Sequence, residues 1–120
     1  MRLPLTLPFL LALAPASAAF AQSYNCSNAA TPTEHAICNH RDLANMDVEM
    51  ATLYGVVGKM PMMMGERGAE EAAAQTFLTT RNDCGDDTAC LNSAYSTRIS
   101  ALKSTIDTGM SNYCKAIKLC

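Results

Sequence analysis

The sequence predicts a small all-α domain, an antiparallel helical hairpin or bundle of about three to four helices stapled by disulfides. Apolar residues recur at steps of three and four, and no segment alternates with period two for long enough to suggest a sheet. The chain also has six cysteines, an even number that favours three disulfides in an exported protein. They are Cys26, Cys38, Cys84, Cys90, Cys114 and Cys120.

The first residues have the pattern of a secretory signal peptide. A basic residue precedes the apolar run LPLTLPFLLALA, and small residues then follow in an A-x-A arrangement that ends at Ala21. We therefore expect a signal peptide over 1–21, cleaved near Ala21, and a periplasmic or secreted protein. Residues 22–107 would form one helical domain, and 108–120 a C-terminal tail with an extra cysteine pair. We expect no membrane anchor.

The charge balance argues against nucleic acid as a partner. The sequence has 9 Lys and Arg against 11 Asp and Glu, so removal of Arg2 with the signal peptide leaves 8 against 11, a net charge near −3. Negative charge repels phosphate backbones and anionic membranes. The composition mildly favours a basic partner.

Two helices are expected in the first half of the mature chain. Thr31 to Glu34 has the form of a capping box with proline at the first helical position, so a short helix should begin there. A second helix is expected from about 40 to 58, with an apolar stripe that packs in the core. The stripe consists of Leu43, Met46, Met50, Leu53, Tyr54 and Val57.

Two further helices should follow a loop. Three glycines and a proline predict a loop over 58–68, and a helix is expected from about 69 to 83, with Phe77, Leu78 and Arg81 on its contact face. The last helix should begin at the aspartate pair 86–87 and carry the most regular stripe of the chain. That stripe consists of Leu91, Ala94, Tyr95, Arg98, Ile99, Leu102 and Ile106.

The stretch RNDCGDDTAC, residues 81–90, suggests a metal loop, a redox pair or a structural staple. Its aspartates lack the spacing of a calcium loop, and C-x5-C is neither a zinc knuckle nor a redox C-x-x-C. A Cys84–Cys90 bond needs a broken helix, because bridged Cα atoms lie within about 7 Å whereas six helical residues rise about 9 Å. Gly85 would break the helix, and an aspartate would cap its restart.

The disulfide pairing stays open at this level. If the helix from about 69 runs back along the one before it, Cys84 returns close to Cys38, and a bond between these two is also compatible with the sequence. For Cys114 and Cys120, a local bond would likewise forbid a continuous helix.

Several segments together resemble a known family. They are Cys26 with TPTEHAIC (31–38), LANMDVEMATLY (43–54), RNDCGDDTACL (81–91) and AYSTRISAL (94–102). Their cysteine spacing and order are similar to those of the lysozyme-inhibitor LprI-like family, also described as a domain of unknown function. The resemblance implies a small, exported, helical, disulfide-bonded domain and, through the family's name, an ability to inhibit lysozyme.

Polar residues that match the family pattern are candidate site residues. They are Glu34, Asp47, Tyr54, Arg81, Tyr95 and Arg98. The two arginines lie on or beside apolar stripes, so we expect each to pair with a carboxylate such as Asp47 or Glu34 while its stem packs. A buried arginine without such a partner would be costly.

The residues do not favour an enzyme. His35 and His40 are the only histidines, and no serine motif, pair of catalytic carboxylates or free cysteine accompanies them. We expect no catalytic residues and no cofactor.

Two kinds of binding protein remain. The first is a protein inhibitor of a lysozyme-type muramidase, such as a c-type lysozyme, that presents either the loop 58–68 or the Cys84–Cys90 turn to the enzyme's cleft. The alternative is a periplasmic methionine-rich copper protein, or an adaptor or stress protein without lysozyme activity, because thioethers suit Cu(I). The methionines concerned are Met60, Met62, Met63 and Met64.

Overall fold

The structure, a computed structural model, describes residues 25–120, so the predicted signal peptide 1–21 lies outside them. The described chain is all-α, as predicted, and has no strand. A 3-10 turn (Cys26–Asn28) precedes four helices, which are α1 (Pro32–Asn39), α2 (Arg41–Val57), α3 (Met64–Asp83) and α4 (Thr88–Ala116). None of these helices is both long enough and apolar enough to span a membrane.

The capping box predicted at the start of α1 is present. The Thr31 hydroxyl accepts a hydrogen bond from the backbone N–H of Glu34 at 3.2 Å. The Glu34 carboxylate in turn accepts from the N–H groups of Ala30 at 2.8 Å and Thr31 at 3.1 Å. A single extended residue, His40, then separates α1 from α2, so the chain changes direction without a loop.

Helix α3 begins at Met64, earlier than predicted, so the expected loop 58–68 is too long. Two side chains explain the difference. The Glu66 carboxylate accepts a hydrogen bond from the Met63 backbone N–H at 3.0 Å and caps the helix. Arg67 donates to the carbonyls of Gly58 at 3.2 Å and Met60 at 3.3 Å, which holds the shortened loop against the first turn of α3.

The turn between α3 and α4 has the predicted chemistry. Gly85 adopts a positive φ of 58°, which favours glycine. The Asp87 side chain accepts hydrogen bonds from the N–H groups of Ala89 and Cys90, both at 3.0 Å, and so caps α4. The helix then extends well beyond 106, so most of the expected C-terminal tail 108–120 is helical.

All three disulfides join cysteines that are consecutive in the sequence. The bonds are Cys26–Cys38, Cys84–Cys90 and Cys114–Cys120, with Cα atoms 5.8, 5.6 and 5.5 Å apart. The pairing of Cys38 with Cys84 therefore does not occur. The Cys84–Cys90 bond spans the break between α3 and α4, and the Cys114–Cys120 bond spans the end of α4. Both positions are expected, because a continuous helix would hold cysteines six residues apart too far from each other to bond.

Helix α4 is the central element, with α2 and α3 packed along it. Contacts between Asp47 and Tyr95 and between Tyr54 and Arg98 show that α2 runs parallel to α4. The pairs Phe77–Tyr95 and Glu70–Arg98 show that α3 runs antiparallel to it. One prediction for α3 is wrong, because Leu78 is 38% exposed and lies outside the contact face.

The core has two neighbouring parts. The larger part lies under α1 and the first half of α4, where buried Ile37, Leu43, Leu91 and Tyr95 meet. The smaller part is formed by Val57, Met60 and Leu102. Complete burial of an aliphatic side chain contributes about 1.5–3 kcal/mol, so these contacts hold α1 and α2 against α4.

Candidate functional site

A buried hydrogen bond joins α2 to α4. The Tyr95 hydroxyl donates to the Asp47 carboxylate at 2.8 Å, and both residues are fully buried. Burial, and then the negative charge of Asp47, raise the pKa of Tyr95 far above its ordinary value, so the phenol stays protonated. The Tyr95 ring also packs edge-on against Phe77 of α3, with ring centroids 5.3 Å apart.

Arg81 lies at the edge of this pair. Its guanidinium donates to the Asn82 side-chain oxygen at 3.2 and 2.9 Å. Hydrogen bonds from the backbone N–H groups of Ala30 and Thr31 lower the pKa of Glu34, and the charge of Arg81 lowers it further. Arg81 thus acts electrostatically on Glu34, one of the two carboxylates predicted for it, and it also interacts with the Tyr95 hydroxyl.

Arg98 has a partner that the sequence did not predict. Its guanidinium forms an ion pair with Glu70 of α3, and the side chains are only 7% and 14% exposed. The guanidinium carbon also lies 5.8 Å from the centre of the Tyr54 ring on α2, within range of a cation–π contact. Arg98 was expected to pair with a carboxylate, and Glu70 of α3 is a carboxylate that lies at this position.

Five of the six polar residues of the family pattern thus fall into two contact groups, and the sixth, Glu34, lies in the capping box of α1. Asp47, Tyr95 and Arg81 lie at the start of the packed helices, and Tyr54 and Arg98 lie one to two turns further along. The first group joins α2, α3 and α4, and the second group joins the same helices when Glu70 of α3, the partner of Arg98, is counted with it. In this structure these contacts hold the three helices together.

The predicted methionines lie at the opposite end of the molecule from the Cys84–Cys90 turn. Three of them line an open groove of about 640 Å³ between the α2–α3 loop, the start of α3 and the last turns of α4. We call this the methionine groove. Its lining includes Met60, Met62, Met63, Glu66, Gly109 and Tyr113. Met64 does not line it and is 92% exposed.

A glycine of α4 gives Met60 its place in the groove. A Cβ atom on Gly109 would lie only 2.2 Å from the Met60 methyl carbon, so the methionine packs directly against the helix backbone. Glycine inside a helix costs about 1 kcal/mol relative to alanine. A larger residue at position 109 would therefore require the flexible end of the Met60 side chain to move.

Six large apolar side chains are exposed near the start of α3 and the C-terminal end of the chain, and two of them, Met63 and Tyr113, line the methionine groove. Met110, Tyr113 and Ile117 follow one another at helical spacing along the end of α4 and are 57%, 50% and 44% exposed. Leu119, Met63 and Met64 are 79%, 77% and 92% exposed. We call these six residues the apolar end. Such a concentration of exposed apolar groups is typical of a protein contact surface.

The other end of the molecule is acidic. Asp83, Asp86 and Asp87 are exposed around the Cys84–Cys90 turn. His35 and His40 are also exposed, on α1 and beside it. Across residues 25–120, no group of three or more His, Cys, Asp and Glu side chains is placed to hold a metal ion.

Comparison with known proteins finds a distant similarity. The chain is 30% identical over 81 residues to Lipoprotein LprI of Mycobacterium tuberculosis and of Mycobacterium bovis. The match covers 65% of this chain and 39% of each relative, so the chain spans about two fifths of the length of these relatives. No family model matches the sequence, and no solved structure matches it. The comparison supports a relationship to LprI and nothing narrower.

Sequence reasoning missed Glu70 and the methionine groove. Glu70 has no motif of its own, and only the rotation of α3 about its axis brings it to Arg98. A signal for the groove was available, because Ile106, Met110 and Tyr113 continue the apolar stripe of α4 at steps of four and three.

Proposed function

We propose that this protein is an exported binding module that inhibits lysozyme-type muramidases, such as a c-type lysozyme, and carries no catalytic residues of its own. The observation that carries the proposal is the apolar end, an unusual surface for a small monomeric domain. Similarity to LprI, together with the lysozyme-inhibitor resemblance of the cysteine and helix motifs, supplies the class of partner.

The charge distribution favours the apolar end over the acidic turn as the surface that enters the cleft. Lysozyme-type enzymes hold a pair of catalytic carboxylates in the cleft. Asp83, Asp86 and Asp87 would meet them with like charge, which is unfavourable. The apolar end has Lys115 and Lys118 beside its exposed side chains instead. Desolvated apolar and aromatic side chains typically supply most of the affinity at such contacts.

The acidic turn would then contribute differently. In an encounter with a basic enzyme, exposed carboxylates raise the association rate by long-range attraction, and salt screens this effect. We therefore expect Asp83→Asn with Asp86→Asn to slow association and to weaken its salt dependence. Asp87 is left unchanged in this variant because it caps α4.

The test is a cell-wall lysis assay in which the oxidised protein is titrated against c-type lysozyme. The wild type should inhibit saturably, and a sample reduced with DTT should not. The double variant Met64→Ser with Tyr113→Ser should lose inhibition while keeping its helical circular dichroism. Leu78→Ser is the matched control, because Leu78 is an exposed apolar residue of α3 away from the apolar end.

Each outcome bears on a separate part of the proposal. Absence of inhibition at a large molar excess of oxidised protein would contradict the inhibitor function. Inhibition that survives in the Met64/Tyr113 variant but is lost in the Asp83/Asp86 variant would contradict the choice of surface and place the contact on the acidic turn.

A further inference from the structure

We propose that Met60, Met62 and Met63 form a binding site for Cu(I), with the Glu66 carboxylate beside them. All four residues line the methionine groove. Three methionines within four consecutive residues therefore line one cavity, although each has a different degree of exposure. The proposal is independent of lysozyme inhibition and goes beyond it.

The chemistry of the available donors points to a soft monovalent ion. Thioethers are soft ligands and select Cu(I) over harder divalent ions. All six cysteines are disulfide-bonded, so no thiolate competes with the methionines for such an ion. In the described part of the chain, no cluster of His, Asp and Glu side chains offers a harder ion a better site.

The three methionines differ in exposure, from the buried Met60 to the exposed Met63, which suits capture of an ion from solvent. Met60 is 9% exposed and packs against the backbone of α4 at Gly109. Pro61 follows it and restricts the backbone before Met62, which is half-buried. Met63 is 77% exposed at the mouth of the groove. A buried inner ligand and an exposed outer ligand would allow the ion to enter without unfolding the loop.

The negative charge of Glu66 favours binding of a cation in the methionine groove. The N-terminus of α3 carries a partial positive charge from the helix dipole, which disfavours a cation. The Glu66 carboxylate lies in the first turn of α3, lines the same groove and offsets that charge. It also accepts the Met63 N–H at 3.0 Å, which fixes the backbone that carries the outer thioether.

The experiment is a competition titration of Cu(I) with the purified protein, its disulfides intact. Ascorbate keeps the copper reduced, and the chromophoric chelator bicinchoninate reports the free ion. Loss of a group that merely supports a metal ligand typically costs about 10–100-fold in affinity, so Met62→Leu or Met63→Leu should cost about tenfold or more. Met64→Leu is the matched control, since it makes the same chemical change at a neighbouring methionine outside the groove.

A second measurement covers Met60, whose substitution also perturbs the core. Carbon-13 labelled methionine methyl groups are followed by NMR as Cu(I) is added. The methyl signals of Met60, Met62 and Met63 should shift and saturate together, and that of Met64 should stay in place. Failure of the protein to withdraw Cu(I) from bicinchoninate, an equal loss in all the Leu variants, or a shift confined to Met64 would overturn the proposal.

Discussion

Tyr95→Phe tests the buried hydrogen bond between α2 and α4. The substitution keeps the ring that packs against Phe77 and removes only the hydroxyl that donates to Asp47 at 2.8 Å. Because both residues are fully buried, water cannot readily replace the lost donor. Hydrogen bonds to charged groups contribute about 1.5–3 kcal/mol to the free energy of unfolding, and we expect a loss of that size. At roughly 4–8 °C per kcal/mol for a domain of this length, Tm should fall by about 6–24 °C.

The assay is thermal and urea denaturation followed by circular dichroism at neutral pH. Tyr113→Phe is the matched control, because Tyr113 is 50% exposed and its hydroxyl can bond to water in either state. The control should change the free energy of unfolding by no more than about 0.5 kcal/mol. If Tyr95→Phe were as stable as Tyr113→Phe, the assignment of a stabilising role to the buried bond would be refuted.

Three further predictions concern stability and use the same denaturation assay. Glu70→Gln removes the charged partner of the buried Arg98 and should lower the free energy of unfolding by about 1.5–3 kcal/mol. Glu49→Gln, in the solvent-exposed ion pair with Lys103, should lower it by at most about 1 kcal/mol. Equal losses in the two variants would contradict the role of burial. Gly85→Ala, at φ 58°, should cost about 1–2 kcal/mol, and Gly58→Ala, at φ −61°, should not destabilise. Glu34 has a lowered pKa, so its contribution to the free energy of unfolding is present above the ordinary value of 4.5 and is lost as pH falls through the folded-state pKa. Glu34→Gln should therefore make stability fall less steeply with decreasing pH in the acidic range. An unchanged pH dependence would count against this explanation.

Local signals in the sequence predicted the helix starts well. Thr31 and Asp87 each cap a helix through hydrogen bonds to residues within three positions. A few neighbouring residues in the sequence are therefore enough to predict where each helix begins. The role of Gly85 could also be predicted from the local sequence, because a residue in the left-handed conformation is needed between two helices that reverse direction. The start of α3 was misplaced because the glycines at 65 and 68 outweighed Glu66, which is the residue that caps the helix.

Pairings between helices could not be read in the same way. Arg98 and Glu70 are 28 positions apart, and their contact depends on how α3 is rotated against α4. The groove depends on Met60 reaching the backbone of α4 at Gly109, a contact between distant segments. The apolar stripe of α4 indicated a buried face but not which helix would cover it, and near its end it is covered only in part.

The nearest-neighbour order of the disulfides has a consequence for biogenesis. As an exported chain crosses a membrane from its N-terminus, cysteines reach the oxidising side in sequence order, and thiols that emerge one after the other are the first available to each other. For Cys26 with Cys38, Cys84 with Cys90 and Cys114 with Cys120, that order of arrival already gives the native bonds. Pairing in sequence order therefore predicts that oxidation of this chain needs an oxidant but little disulfide isomerisation.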